Sequence, residues 1–196
     1  MGNGNESEAQ IARNVIQWAR GKLGKKVGKG WCWDLAEEAL KFAGAKTSRD
    51  LGEVKDDSDY VWGKPIQLKD IQPGDVLQLR DHLVLTEIVE EQYFSDGSSY
   101  TENRDYKAKR PHHTAIAVSL PNEAGEISTL EQFLKGERIV KSSTIRLRGQ
   151  EPRVETVFEL RNHPFKKNTK ERAKIIRTTS VTVTGEVWAY RPQKKN

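Results

Sequence analysis

Cys32 is the one cysteine among 196 residues. It stands in Gly28-Lys29-Gly30-Trp31-Cys32-Trp33-Asp34-Leu35, where glycines give way to a helical pattern. The first amides of a helix are unpaired and carry partial positive charge, which favours thiolate over thiol. The alternative is a buried apolar thiol, since free cysteines commonly pack as small hydrophobic side chains. A thiol nucleophile needs a base, and histidine, titrating near neutrality, is the usual one. Of His82, His112, His113 and His163, His113 directly precedes the strand-like run Thr114-Ala115-Ile116-Ala117-Val118. A rigid element would therefore hold its ring. His112 projects the other way if the strand starts that early, because side chains alternate across a strand. His82 and His163 lie at turns. The base in turn needs an orienting group. The following strand offers Glu131, which would accept the imidazole N–H and favour a thiolate–imidazolium pair, and Gln132, which would orient the ring without adding charge. Asp34, Glu37 and Glu38 fall in the first two turns after Cys32 and partly oppose the thiolate.

Other chemistries are less well served. The spacing of Cys32, His82 and His163 matches no metal-ligand pattern, and one cysteine excludes an internal disulfide framework. No metal or cofactor is expected. The formal net charge of +5 would attract polyanions, and the basic surface offers itself to an anionic polymer. Without a zinc-finger, RNP or Walker pattern, nucleic acid is not the expected partner. No run of apolar residues is long enough to span a membrane. The polar start Met1-Gly2-Asn3-Gly4-Asn5-Glu6 shows no signal peptide. The expected location is the cytoplasm by default, or outside the cell by a non-classical route.

The elements that must position Cys32 and His113 follow from periodicity. Residues 8–23 and about 31–43 read as amphipathic helices, the first with Ile11, Val15, Trp18 and Ala19 at helical spacing. Gln72-Pro73-Gly74-Asp75 is a turn that launches a strand at 76–80, and a second strand is expected over 83–89. The stretch 90–110 reads as a long polar loop that would border the cleft at His113. Strands return at 114–118, 127–133, 138–147, 154–160, 175–184 and 186–190, with a basic connection over 162–174. Helices first and strands after is the order of an α+β domain, and this length suits a single one.

Cys32 at a helix start, then Pro73-Gly74-Asp75-Val76, then His113-Thr114-Ala115-Ile116, then Leu130-Glu131-Gln132, resembles the CHAP amidases and their NlpC-like relatives. The resemblance implies a papain-like α+β fold, with N-terminal helices packed on an antiparallel sheet of about five or six strands. It spans residues 10–192, with insertions at 90–110 and 149–178, a disordered segment over 1–9 and a basic tail over 193–196. It implies Cys32 as nucleophile, His113 as general base and Glu131 as third residue. The implied activity is hydrolysis of an amide or peptide bond, in peptidoglycan or another peptide. The sequence departs from the pattern at Phe133, where CHAP members usually carry asparagine, and at Trp31, where relatives carry a small or polar residue. Similar domains also sit in eukaryotic cytoskeletal adaptors, so the other expectation is a catalytically silent papain-like module acting in protein interaction.

Overall fold

The computed structural model describes residues 3–195, with side chains from residue 8 onward. The chain runs α1 (Asn3–Arg20), α2 (Cys32–Phe42), α3 (Ser48–Leu51), β1 (Lys64–Ile66), β2 (Val76–Tyr93), β3 (Ser99–Ala117), β4 (Glu126–Glu131), β5 (Lys141–Arg146), β6 (Gln150–Asn162) and β7 (Lys170–Arg191). Strand order is β1-β7-β2-β3-β4-β5, with β6 also paired to β7. The sheet has seven strands, not the five or six expected. The chain divides into two compact units, residues 1–82, 110–148 and 184–196 in one and 83–109 and 149–183 in the other.

In the first unit, Ile11, Val15 and Ala19 recur every four residues on α1 and are buried against Leu35, Ala36, Ala39 and Leu40 of α2. Ile116 and Leu130 from the sheet join that cluster. Their neighbours Ala115, Ala117 and Ile127 belong to a second cluster with Ile71, Leu77, Leu79 and Ile145. Alternate residues of β3 thus feed different cores, as the two-residue period of a strand requires. The last residues also have partners: Lys46 N–H donates to Gln193 O and Lys195 N–H to Gly44 O, and Lys195 pairs with Asp50 at 2.7 Å. The segment 47–65, read as loop, holds α3 and the first residues of β1.

Two turns inferred from sequence are not turns. Residues 76–80 and 83–89 run on as one strand, β2, and 175–184 and 186–190 as one strand, β7. Asp81 (φ 51°) and Gly185 (φ 89°) take left-handed backbone inside these strands. A Cβ on Gly185 would come within 2.3 Å of the Asp81 carbonyl oxygen, so only glycine allows the approach. The turn-forming residues make local irregularities in continuous strands instead of ending them.

The second unit overturns the expectation of a long loop at 90–110. Those residues are strand in β2 and β3, turning at Asp96-Gly97, where Gly97 N–H donates to Phe94 O. The basic connection is also shorter, since β6 reaches Asn162 and β7 begins at Lys170. Polarity misled here because ion pairs stand where apolar contacts usually signal a strand. Glu90, only 1% exposed, accepts hydrogen bonds from Arg104, Arg161 and Arg177. The apolar part of this unit is small, with Phe94, Ala173 and Ile175 buried beside Val157.

Candidate functional site

Cys32 is the first residue of α2, preceded by Trp31 in extended backbone (φ −83°, ψ 156°). Asp34 folds back on the loop before the helix. Its Oδ2 accepts the N–H of Trp31 and of Lys29, each at 2.9 Å. This arrangement caps the helix and directs the Asp34 charge at loop amides. Glu37 is similarly engaged, accepting from the Ser48 hydroxyl at 3.0 Å, while that hydroxyl accepts from the Trp33 indole at 2.8 Å.

Gln132 braces the same loop from the sheet. Its Oε1 accepts Val27 N–H at 2.8 Å, and its Nε2 donates to Val27 O at 3.0 Å and Trp31 O at 2.8 Å. Of the two candidates for orienting His113, Gln132 is therefore committed elsewhere. Gln132→Ala should cost about 1–3 kcal/mol, because Val27 N–H and Trp31 O lose their partner in a buried setting. Urea denaturation reads this, and no change in midpoint would mean water replaces the amide.

The register Ala115↔Glu131 between β3 and β4 puts Glu131 diagonal to His113 on one face of the sheet. His113 Nε2 lies 3.0 Å from Glu131 Oε2. The ring N–H is not aimed along that line, so the contact is a close electrostatic approach rather than a straight hydrogen bond. Glu131 is fully buried and engaged three more times. Arg110 Nε donates to Oε2 at 2.8 Å, Arg110 Nη2 to Oε1 at 3.1 Å and the Thr129 hydroxyl to Oε1 at 2.5 Å. Arg110 also reaches Ser143 Oγ and Thr144 O. The sequence reading puts Arg110 in a polar loop that could contact a substrate, and does not foresee its pairing with Glu131. Spacing gives no signal for it, since residues three apart in a regular strand point to opposite faces, yet Arg110 and His113 both reach Glu131.

Cys32 is half-buried, beside the His113 imidazole and the backbone amides of Thr114 and Trp33. Burial pushes its pKa up, but the hydrogen bond and charge of His113 and the two amides outweigh this, and it falls below that of an ordinary thiol. Burial alone would lower the pKa of His113, yet Cys32 and Glu131 raise it to about 9. Burial raises Glu131, while His113 and Arg110 hold it down at about 2. All three directions favour thiolate beside imidazolium at neutral pH. The structure thus brings Cys32, His113 and Glu131 together.

The other histidines are elsewhere engaged. His112 Nε2 contacts Ser58 O at 2.7 Å, and its ring faces Tyr60 at 5.4 Å. His82 is buried, with Nε2 2.9 Å from Arg146 O. In the second unit His163 Nε2 contacts Asp96 at 3.1 Å. Among the described residues no three His, Cys, Asp or Glu groups gather as a metal site.

In front of Cys32 lies a cleft of about 760 Å³, walled by Trp31, Trp33, Tyr60, His112 and Phe133. Trp31 meets Phe133 edge-on at 4.8 Å. The two departures from the CHAP pattern therefore build one aromatic wall. A shallower depression at Ile66, Gln72, Leu120 and Arg191 shares no residue with this cleft.

A family described as the AIM3/BBC1 cysteine proteinase-fold domain matches residues 5–151. The chain is also similar to altered inheritance of mitochondria protein 3 of Debaryomyces hansenii, 30% identical over 155 residues, covering 73% of this chain and 15% of that protein. It therefore spans only a small part of that relative's length. No solved structure matches. The resemblance to CHAP and NlpC enzymes narrows accordingly to the shared papain-like fold. A thiol at a helix start beside a strand histidine fits the description of the matched family, and the chain belongs to the AIM3/BBC1 cysteine proteinase-fold domain family.

Proposed function

We propose that this chain is a papain-like interaction module that holds an extended peptide segment in the cleft beside Cys32. The observation that carries the reading is the cleft itself, lined by aromatic rings together with polar and charged side chains. Sites that hold peptides combine apolar walls with a few placed polar groups. In the relative the matched region is 15% of the length, so there it is one module among others, and this chain belongs to the same family. That relative is named for mitochondrial inheritance, not for an enzymatic activity.

A second reading, cysteine hydrolase, is favoured by one observation, the contact of Cys32, His113 and Glu131. In that chemistry the Cys32 thiolate attacks a carbonyl carbon, the His113 imidazolium protonates the leaving amine, and water deprotonated by His113 then cleaves the acyl-thioester and restores the thiolate. Amides at the start of α2 would face the oxyanion. A mixed peptide library, incubated with the protein and read by mass spectrometry, separates the two. The interaction reading expects peptides retained by the protein and recovered intact. Turnover of any peptide that disappears in Cys32→Ala would replace it with the hydrolase reading. No retention and no cleavage would remove both.

A further inference from the structure

One cation stacked on two aromatic residues of the cleft wall is held in place without an acid to hold it. Arg138 places its guanidinium carbon 4.4 Å from the Trp31 ring centre and 5.8 Å from that of Phe133. Both rings line the Cys32 cleft. Gly30, buried and at φ 92°, makes room for it, since a Cβ there would stand 2.6 Å from Arg138 Cβ. The one hydrogen bond described for the guanidinium is a long contact of 3.5 Å from Nη1 to Lys29 O. Among the described residues no carboxylate pairs with it. An arginine stacked on aromatic rings is pre-organised, and its remaining N–H groups form the planar fork that matches a carboxylate.

On the Trp31 side the neighbouring segments add charge of the same sign, while the cleft lining as a whole also includes Arg49 and the carboxylates Asp34, Asp56 and Asp57. Lys29 lines the cleft. Backbone bonds from Gly24 N–H to Val140 O and from Val140 N–H to Lys25 O, each 2.9 Å, draw the Lys25-Lys26 segment beside the one that carries Arg138. On the His112 side the balance differs. There Asp57 is occupied by Arg80 at 2.6 Å, so it does not compete for Arg138. Glu137, the carboxylate next to Arg138 in sequence, is paired with Lys141 at 2.6 Å.

We infer that Arg138 is a selectivity residue of the cleft, and that the peptide segment held there carries an aspartate or glutamate whose carboxylate docks on the Arg138 guanidinium above Trp31 and Phe133. This rests on the cleft beside Cys32 being a peptide site. Neither hydrolysis nor its absence is required. The acidic side chain supplies the missing partner, and the rim lysines steer it.

The test uses tetrapeptidyl acyloxymethyl ketones in which aspartate, asparagine or lysine is moved through each position, with Cys32 alkylation followed by mass spectrometry. At one position aspartate should exceed asparagine in second-order rate by roughly tenfold, as a charge-assisted contact does over a neutral one. Raising the salt to about 0.5 M should shrink that ratio. Arg138→Gln should bring it close to one, and Arg138→Lys should retain part of it. Arg138 is exposed, so both variants are expected to fold. Each peptidyl rate is divided by the iodoacetamide rate of the same variant, so that any change in the reactivity of the thiol itself cancels. An aspartate preference that is absent, or that persists in Arg138→Gln, overturns the assignment while leaving the peptide site standing. Peptidyl probes that never react faster than iodoacetamide, whatever their charge, overturn the peptide site and this assignment with it. Loss of binding to phosphatidylserine vesicles in Arg138→Gln, with peptide selectivity unchanged, would reassign Arg138 to an anionic membrane.

Discussion

Arg110→Met is expected to destabilise the first unit by about 3–5 kcal/mol, the range for removing one partner of a buried ion pair. Arg110 is 7% exposed and Glu131 0%, and the guanidinium holds both carboxylate oxygens. Methionine keeps much of the volume but leaves the carboxylate with Thr129 and the imidazole alone. Urea denaturation reads the change, and a loss below about 1 kcal/mol would mean that water reaches the pair as it does at a surface. The double variant Arg110→Met with Glu131→Leu should recover most of the loss, because two apolar side chains need no compensating charge. The pH dependence gives a second check. Glu131 titrates at about 2 in the folded chain, below its ordinary 4.5. Its stabilisation is therefore complete above the ordinary value and drains away as pH falls through the folded one. The parent chain should lose stability across that window, and the double variant should lack that component.

How the site could be read from sequence depends on how local each signal is. Cys32 announces itself through glycines followed at once by an apolar helical stripe, and His113 through the apolar run that follows it. Glu131 and Gln132 are adjacent and equally plausible as text. What separates them is that Glu131 ends β4 in register with Ala115, toward His113, whereas Gln132 lies just past the strand and bonds the loop before α2. Arg110 was hidden for another reason. Its partner lies 21 residues on, and its neighbours Tyr106, Lys107 and Lys109 look like loop. The same blindness hid the strand at 90–110, where Glu90 draws three arginines from three segments. Hydrophobic periodicity reports burial against apolar neighbours, and a buried carboxylate satisfied by guanidinium groups leaves no such trace. Asp81 and Gly185 misled in the opposite sense, being turn formers in sequence and left-handed kinks within β2 and β7 in the structure.

Alternation of charge from Arg110 to Glu131 to His113 to Cys32 predicts opposite effects from removing Arg110 and removing Glu131. In the parent chain the Arg110 cation offsets the Glu131 anion, and the imidazolium has the thiolate opposite it. Glu131→Gln removes the anion and leaves Arg110 facing the imidazolium, so the thiolate–imidazolium pair is disfavoured and the Cys32 pKa should rise. Arg110→Met leaves the anion uncompensated, so in folded protein the pair is favoured and the Cys32 pKa should fall further. His113→Ala removes the imidazolium itself. Iodoacetamide alkylation followed against pH measures all three, since only the thiolate reacts. At pH 6, where an ordinary thiol of pKa about 8.5 is almost wholly protonated, the parent should react readily. Glu131→Gln should slow that rate by roughly tenfold, and His113→Ala by at least as much. Arg110→Met, assayed well below its unfolding midpoint, should match or exceed the parent. Because Cys32 and His113 titrate as a pair, the upper limb of the profile should also move, downward in Glu131→Gln and upward in Arg110→Met. If both charge variants shift the profile the same way, damage to the packing rather than charge sets the reactivity. A thiol that reacts only once the chain is unfolded would make Cys32 a core residue, and the chemistry of the cleft would have to be sought in its aromatic walls.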